Sequence, residues 1–173
     1  MTDRARLTGM LARRRVPLGF VFGALALWLA RPTSSSLAAG ALVGAIGEAL
    51  RLWAAGHLEK GREVTSSGPY RFTRHPLYLG STVIGIGLAI AAHGLLVAVL
   101  VVAYLTVTLS AAMRTEEAHL TEKFGSQYPA YREGAAPRVA RRFSLARAIQ
   151  NREYRALIGF FAVVALLALR LRA

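Results

Sequence analysis

The chain has 173 residues, of which 54% are hydrophobic and only 18% are charged, and its mean hydropathy is +0.40. One soluble core of this size does not easily bury so many apolar side chains, so a membrane is the expected place for them. The 22 Lys and Arg residues, set against 9 Asp and Glu, give a net charge of +13, and cysteine is absent. Together these features argue against a soluble enzyme, a disordered basic tail and a disulfide-stapled secreted domain.

Five apolar segments approach the roughly 20 residues that a helix needs to cross a bilayer. They are residues 16–30, 37–56, 77–92, 95–113 and 156–169. The third and fourth belong to one long apolar block that His93 and Gly94 divide, which is typical of a helical hairpin. The predicted fold is therefore a single all-α, polytopic membrane domain over residues 1–173 with about five transmembrane helices. A secretory signal peptide is the alternative for the first segment, which is short and follows basic residues.

The distribution of basic residues predicts the orientation of these helices, because cytoplasmic loops collect Lys and Arg. The N-terminus, the second loop and the fourth loop together contain 18 basic residues, whereas the opposite side contains three. The N-terminus and both large loops are therefore expected in the cytoplasm, with the chain in the cell membrane. The spacings Gly19-xxx-Gly23 and Gly40-xxx-Gly44 predict helices that pack closely.

The basic segment at residues 138–155 is expected to lie on the membrane surface beside anionic lipid. Phe143, Leu145 and Ile149 are expected to point from it into the lipid interface. No motif that reads a nucleic-acid groove accompanies the arginines, so nucleic acid is not a predicted partner. The six arginines of this segment are Arg138, Arg141, Arg142, Arg147, Arg152 and Arg155.

Nearly all the polar side chains that could take part in catalysis or ligand binding lie in the two large loops. In the first motif, residues 68–80, Gly68 and Pro69 predict a turn, and Pro76 suits the first turn of the third span. His75 then precedes a helix N-terminus, whose free N–H groups suit an anion. Tyr78 lies at the depth of an interfacial anchor, which is its alternative role.

The second motif occupies residues 114–132. The fourth span is predicted to continue as a helix to Phe124, with Gly125 as its C-terminal stop. Glu116 and Glu117 point about 100° apart on that helix, so at most one of them faces the bundle squarely. Inside the second span, Glu48 and Arg51 are three residues apart, and they are either functional or a structural ion pair.

Metal sites are not predicted. Glu116 and His119 have the spacing of half a di-iron site, but the sequence holds no second Glu-xx-His. The four histidines lack zinc-site spacing.

The two motifs together suggest a family. Gly-Pro-Tyr-Arg-x-x-Arg-His-Pro-x-Tyr-x-Gly at residues 68–80, an apolar hairpin, and Glu-Glu-x-x-Leu-x-x-x-Phe-Gly-x-x-Tyr-x-x-Tyr at residues 116–131 follow one another. This arrangement resembles the isoprenylcysteine carboxyl methyltransferase and phospholipid methyltransferase superfamily. The resemblance covers about half of the chain, and the basic C-terminal segment departs from it.

The resemblance implies an integral-membrane methyltransferase that uses S-adenosylmethionine and releases S-adenosylhomocysteine. The acceptor would be lipophilic or lipid-anchored, with a carboxylate, amine or hydroxyl group, and Glu48 and Arg51 are candidates for binding it. His75, Glu116 and Glu117 are the candidate catalytic residues. The implied cofactor-binding residues are Arg74, His75, Pro76, Tyr78, Glu116, Glu117, Tyr128, Tyr131 and Arg132.

Two alternatives remain open. Membrane reductases of the sterol-reductase type also place an Arg-His-x-x-Tyr sequence beside membrane helices and would bind NADPH. A non-catalytic basic membrane protein that binds anionic lipid would bind no nucleotide, and its lipid binding would weaken with salt.

Overall fold

The protein is helical throughout the residues that its computed structural model describes, which are 17, 19–137 and 139–171. The prediction of an all-α fold is confirmed, since no strand occurs in these ranges. The predicted cytoplasmic N-terminus, residues 16 and 18 of the predicted span 16–30, and Arg138 lie outside the described residues. In chain order the helices are α1 (Gly19–Leu29), α2 (Ser34–Ala55), α3 (Pro76–Ala92), α4 (Leu95–Phe124), α5 (Gln127–Arg132), α6 (Leu145–Gln150) and α7 (Tyr154–Arg170).

Two of the described helices, α2 with 22 residues and α4 with 30, are long and apolar enough to cross a membrane. Helices α1 and α3 are apolar but shorter. The observed ends of α1, α2, α3 and α7 lie within three residues of the predicted span ends. Helix α4 continues past residue 113 to Phe124, and Gly125 follows it with a φ of 53°, as the sequence predicts.

Helix α2 begins at Ser34, three residues before the predicted start of its span at residue 37. A capping box explains the difference. The Thr33 hydroxyl accepts a hydrogen bond from the Ser36 amide at 3.1 Å, and the Ser36 hydroxyl accepts one from the Thr33 amide at 2.9 Å. Two of the unpaired N–H groups at the helix start are thereby satisfied, so polar serines join a helix whose apolar run begins later.

Small residues allow α2 and α3 to pack with their backbones in close approach. A Cβ atom added to Gly87 would lie 2.5 Å from the Gly44 nitrogen and 2.6 Å from the Gly40 carbonyl oxygen. The predicted close packing at the Gly40 and Gly44 spacing is therefore confirmed. The other predicted spacing is Gly19-xxx-Gly23. Gly19 lies against Tyr104, but a Cβ atom added to Gly23 would have no neighbour within 4 Å, so close packing is observed at Gly19 and not at Gly23.

Helices α3 and α4 are joined by His93 and Gly94. His93 adopts a left-handed conformation with a φ of 49°, which ends α3. The preceding carbonyl of Ala92 accepts a hydrogen bond from the Arg31 amide at 2.8 Å, which ties the α1–α2 connection to this end of the bundle. A small core packs there around Ala92, Val97 and Leu167, which brings α3, α4 and α7 together.

Residues 139–153, named here the C-terminal strap, hold the end of α2 and the loop that follows it. The Arg147 guanidinium donates to Glu59 at 2.8 Å and to the Gly56 carbonyl at 2.5 Å. Arg141 pairs with Glu63 at 2.7 Å, and the Asn151 amide donates to two carbonyls at 2.9 Å each. The strap is therefore held against the end of α2 and the second loop by hydrogen bonds and ion pairs.

This docking turns part of the basic segment towards the protein, and the expectation that the segment lies on the membrane surface stays a prediction. The side chains of Arg141 and Arg147 are only 19% exposed, because carboxylates of the second loop draw them inward. Leu145 and Ile149 are instead 57% and 55% exposed. Phe143 is half exposed, and its ring lies 6.2 Å from the ring of His57.

Candidate functional site

The first motif reaches α3 through a tight turn. A 3-10 turn at Gly68–Arg71 follows the second loop, and Gly68 has a φ of 57°. A Cβ atom at Gly68 would lie 2.5 Å from the His57 ring, so both the backbone conformation and the space require glycine. The predicted turn at Gly68 and Pro69 is thus confirmed. It directs the chain towards the start of α3, where Pro76 occupies the first helical position with a φ that suits a helix and with no N–H group to leave unpaired.

His75 lies directly before α3 and contacts the second motif. Its Nε2 lies 2.9 Å from Glu117 Oε1, and its side chain is 13% exposed. An ionised carboxylate only accepts hydrogen bonds, so Nε2 is the donor in this contact. Pro76 is fully buried at the first helical position, where its role is to start the helix. The contact between His75 and Glu117 joins the two motifs across 42 residues of sequence.

Glu117 is the carboxylate at the centre of this group. Its Oε1 also lies 3.2 Å from a terminal nitrogen of Arg74. The hydrogen bond from His75, together with the nearby Arg74 charge, lowers the pKa of Glu117, and burial opposes this shift only in part. Glu116 lies further away, with its Oε2 4.0 Å from His75 Nδ1, and its side chain is 46% exposed. Of the two consecutive glutamates, Glu117 makes the close contact and Glu116 stays at the edge.

Several tyrosine side chains lie next to this group or connect the elements around it. The Tyr78 ring centroid lies 5.7 Å from that of His75, and the rings of Tyr128 and Tyr131 are 6.2 Å apart. The Tyr131 hydroxyl donates to the Tyr70 carbonyl at 2.7 Å, which connects α5 to the turn before α3. Burial, together with the nearby charge of Glu117, raises the pKa of Tyr128 to about 12, so this phenol stays protonated at neutral pH.

The Tyr128 hydroxyl is buried near Glu117, whose pKa it helps to lower, but it lacks a hydrogen bond of good geometry. Only 2% of the Tyr128 residue is exposed, and within the described ranges its hydroxyl has no hydrogen-bond partner of normal geometry. A buried hydroxyl without a partner costs about 1–3 kcal/mol. Such an atom fits a site that is completed by a polar ligand.

One predicted residue of the site lies apart from the others. The Arg132 side chain is 53% exposed, and its terminal nitrogen lies 3.8 Å from Glu133. It follows the buried Tyr128 at the end of α5 and forms its ion pair with this neighbour rather than with Glu117.

Of the two alternatives for Glu48 and Arg51, a direct ion pair between them is not observed, because Arg51 pairs with another carboxylate. Arg51 Nε lies 2.6 Å from Glu153 Oε1 at the end of the strap, and Arg51 also donates to the Ser81 hydroxyl at 2.5 Å. Glu48 is buried, with 5% of the residue exposed. Glu153 was not singled out in the sequence, although it is the one acidic residue among the six arginines at residues 138–155.

Tyr70 is another residue that the sequence analysis did not single out, although it lies within the first motif. It is 9% exposed. Burial raises the pKa of Tyr70 well above its usual value near 10. The negative charges of Glu116 and, to a smaller extent, Glu153 raise this pKa further. The Tyr70 hydroxyl is therefore close enough to both Glu116 and Glu153 for their charges to act on it.

An apolar cavity of about 290 Å³ lies between α1, α3, α4 and α7. Along α3 its wall runs from Ser81 to Ala92, and Leu27, Val101 and Leu167 line other sides. Ser81 is the residue that it shares with the contacts of Arg51. The cavity can hold hydrocarbon, and its Ser81 end is tied to the start of α3.

Comparison with known protein families identifies the chain. The model of the family described as "Phospholipid methyltransferase" matches residues 18–127, which is more than half of the sequence. The chain belongs to the phospholipid methyltransferase family. This assignment confirms the resemblance to the superfamily that also contains the isoprenylcysteine carboxyl methyltransferases, which is a superfamily of membrane-integral methyltransferases. A search of curated proteins and a search of solved structures each return no significant match.

The matched region of the phospholipid methyltransferase family contains His75, Glu117 and both apolar helices of spanning length. It ends at residue 127, before Tyr128, Tyr131 and the whole C-terminal strap. The strap therefore lies beyond the matched family region, although the residues that it contacts at the end of α2 lie inside that region.

Proposed function

We propose that this member of the phospholipid methyltransferase family transfers a methyl group from S-adenosylmethionine to a lipophilic acceptor at the cytoplasmic face of the cell membrane. Methyltransferase families generally use this cofactor. The observation that carries the proposal is the 2.9 Å contact between His75 and Glu117. It joins the two motifs of the family resemblance in one polar group, with tyrosine side chains beside it.

The residues around His75 match the chemical groups of the cofactor. S-adenosylmethionine has a carboxylate, an ammonium group, ribose hydroxyls and a sulfonium. Arg74 and the N–H groups at the start of α3 suit the carboxylate, and Glu116 or Glu117 suits the ammonium group or the ribose hydroxyls. The aromatic faces of Tyr78 and Tyr128 suit the cationic sulfonium. The buried Tyr128 hydroxyl, which lacks a hydrogen bond of good geometry, supports this fit, because a bound polar ligand would satisfy it.

When bound, the cofactor supplies an electrophilic methyl group. The contribution of the chain is to orient the reactants and exclude water, which can account for much of the rate of a displacement reaction. If the acceptor is an amine or a hydroxyl, it must lose a proton, whereas a carboxylate acceptor needs no base. In the neutral tautomer that donates from Nε2 to Glu117, His75 keeps a lone pair on Nδ1, which can take such a proton.

The membrane arrangement proposed for this chemistry has five spans, formed by α1, α2, α3, α4 and α7, with α3 and α4 as a transmembrane hairpin. The asymmetry of 18 basic residues against three supports an orientation in which both motifs face the cytoplasm. Local thinning of the bilayer would accommodate the shorter helices. Exposed arginines of the strap, together with Leu145 and Ile149, would contact anionic headgroups and the lipid interface.

The acceptor is proposed to enter from the bilayer. The apolar cavity between α1, α3, α4 and α7 supports this route, because apolar side chains line most of it and one of its ends lies near Ser81. The cavity wall along α3 spans 11 residue steps, which correspond to about 16 Å or half of the hydrocarbon thickness. A hydrocarbon chain of an acceptor would lie along it, with the reacting group towards the cytoplasmic side.

The test is a calorimetric titration of the purified full chain with S-adenosylhomocysteine and, separately, with NADPH. We expect binding of S-adenosylhomocysteine and none of NADPH. His75→Ala should weaken that binding while leaving the thermal unfolding temperature close to that of the unaltered chain. Binding of NADPH instead supports the reductase alternative. Binding of neither, with association to anionic vesicles that salt weakens, supports the non-catalytic alternative.

A further inference from the structure

Arg51 is the point at which α2, α3 and the C-terminal strap meet. Its Nε donates to Glu153 at 2.6 Å, and a terminal nitrogen donates to the Ser81 hydroxyl at 2.5 Å and to the Leu77 carbonyl at 3.3 Å. Only 19% of the Arg51 side chain and 8% of the Glu153 side chain are exposed. A charge with so little solvent needs an opposite charge in good geometry, and Glu153 supplies it to Arg51.

The contacts of Arg51 fall on the first turns of α3, directly after His75. The Leu77 carbonyl accepts from Arg51 and also from the Ser81 hydroxyl, which is 3.0 Å away. A Cβ atom added to Gly80 would lie 2.5 Å from Arg51 Cγ. The Arg51 side chain therefore lies against the surface of α3 and fixes the position of the turns that follow His75.

We infer that Arg51 and Glu153 are positioning residues for the cofactor site and that they act through the first two turns of α3. This inference rests on the proposed function. Glu153 lies in the strap, outside the region matched by the family model. The chain thus adds a positioning carboxylate from its own C-terminal segment to a site whose motifs lie in or near the family region. In this role Arg51 orients protein groups rather than binding the acceptor.

The experiment uses Glu153→Gln, which keeps the shape of the side chain and removes its charge, and Arg51→Lys, which keeps the charge and removes the fork of donors. Glu133→Gln is the matched control, because Glu133 has a 67% exposed side chain that lies 3.8 Å from Arg132. Affinity for S-adenosylhomocysteine is measured by calorimetry. Amide hydrogen exchange is measured over residues 79–82 and over α7.

We expect Glu153→Gln and Arg51→Lys each to weaken binding of S-adenosylhomocysteine about tenfold, as for loss of one hydrogen bond between charged groups. Amides at residues 79–82 should exchange faster in both variants. The double variant should bind S-adenosylhomocysteine no more weakly than the weaker-binding single variant, because both changes break the same ion pair. The control should bind like the unaltered chain.

A purely structural role for Glu153 predicts a different result. Glu153 precedes α7, so loss of its charge also removes a favourable interaction with that helix N-terminus. That role alone would speed exchange in α7 and lower the unfolding temperature, with unchanged affinity and unchanged exchange at residues 79–82. This result would overturn the inference, and so would unchanged affinity in Arg51→Lys, the result that direct acceptor binding by Arg51 predicts.

The inference and the proposed function fail in distinguishable ways. If the unaltered chain binds no S-adenosylhomocysteine, the proposed function is wrong, and so is a positioning role for its cofactor. If the unaltered chain binds and the two variants bind equally well, the proposed function stands and the positioning role is wrong. Faster exchange at residues 79–82 with weakened binding supports both.

Discussion

Replacing Glu117 by glutamine tests the centre of the site, because this change removes the charge of the side chain and keeps its shape. The carboxylate accepts from His75 at 2.9 Å and lies 3.2 Å from Arg74. A hydrogen bond to a charged group contributes about 1.5–3 kcal/mol, and an exposed ion pair at most about 1 kcal/mol. Since 31% of the Glu117 side chain is exposed and solvent screens its charge, the lower end of these energy ranges applies. We expect the free energy of unfolding to fall by about 1–2 kcal/mol.

The effect of Glu117→Gln on cofactor binding should be larger than its effect on stability. If the carboxylate binds the ammonium group or the ribose hydroxyls, the loss of about 1.5–3 kcal/mol corresponds to an affinity about 10- to 100-fold weaker. Calorimetry with S-adenosylhomocysteine measures this change. Glu122→Gln is the control, because Glu122 is an exposed glutamate on the same helix. Equal affinities of Glu117→Gln, Glu122→Gln and the unaltered chain would refute a role for Glu117 in the cofactor site.

Three further predictions concern helix packing, the buried Tyr128 hydroxyl and the dependence of stability on pH. Gly87→Ala should lower the unfolding temperature in detergent, because its Cβ would meet the α2 backbone, whereas Gly159→Ala, with no neighbour within 4 Å, should raise it slightly. Tyr128→Phe should leave the stability of the ligand-free chain equal or higher and weaken S-adenosylhomocysteine binding; equal binding would show that the cofactor does not use this hydroxyl. The lowered pKa of Glu117 means that its contribution to stability is complete above its unfolded pKa of about 4.3 and is lost as the pH falls through the lower folded pKa. The stability difference between the unaltered chain and Glu117→Gln should therefore shrink in acid, and a difference independent of pH would contradict this assignment.

Local sequence signals predicted the elements around the site well. Pro76 begins α3, His93 and Gly94 separate α3 from α4, and Gly125 ends α4. Each of these residues acts through its own backbone or its immediate neighbours, so its effect can be read without the tertiary structure. The start of α2 was missed because the capping contacts of Thr33 matter more there than the apolar pattern that defined the predicted span.

The long-range polar contacts were not predictable from spacing. Glu48 and Arg51 have the spacing of a pair on one helix face, yet Arg51 pairs with Glu153, which is 102 residues away. The docking of the strap decides this choice, since Arg147 and Asn151 bind the end of α2 and bring Glu153 to Arg51. A lone glutamate in an arginine-rich segment was the available sign, but the sequence did not identify its partner.

Helix lengths explain why Glu117 meets His75 although the motifs are distant in sequence. From Leu95 to Glu117 the helix rises about 33 Å, and from Pro76 to Ala92 it rises about 24 Å. If α4 returns alongside α3, Glu117 lies about 9 Å beyond the first residue of α3, at the level where His75 and Arg74 precede the helix. The apolar part of α4, residues 95–113, rises about 27 Å and so nearly equals α3 in length. A matched pair of apolar helices with a polar extension on one of them thus brings a carboxylate to the histidine at the start of the other.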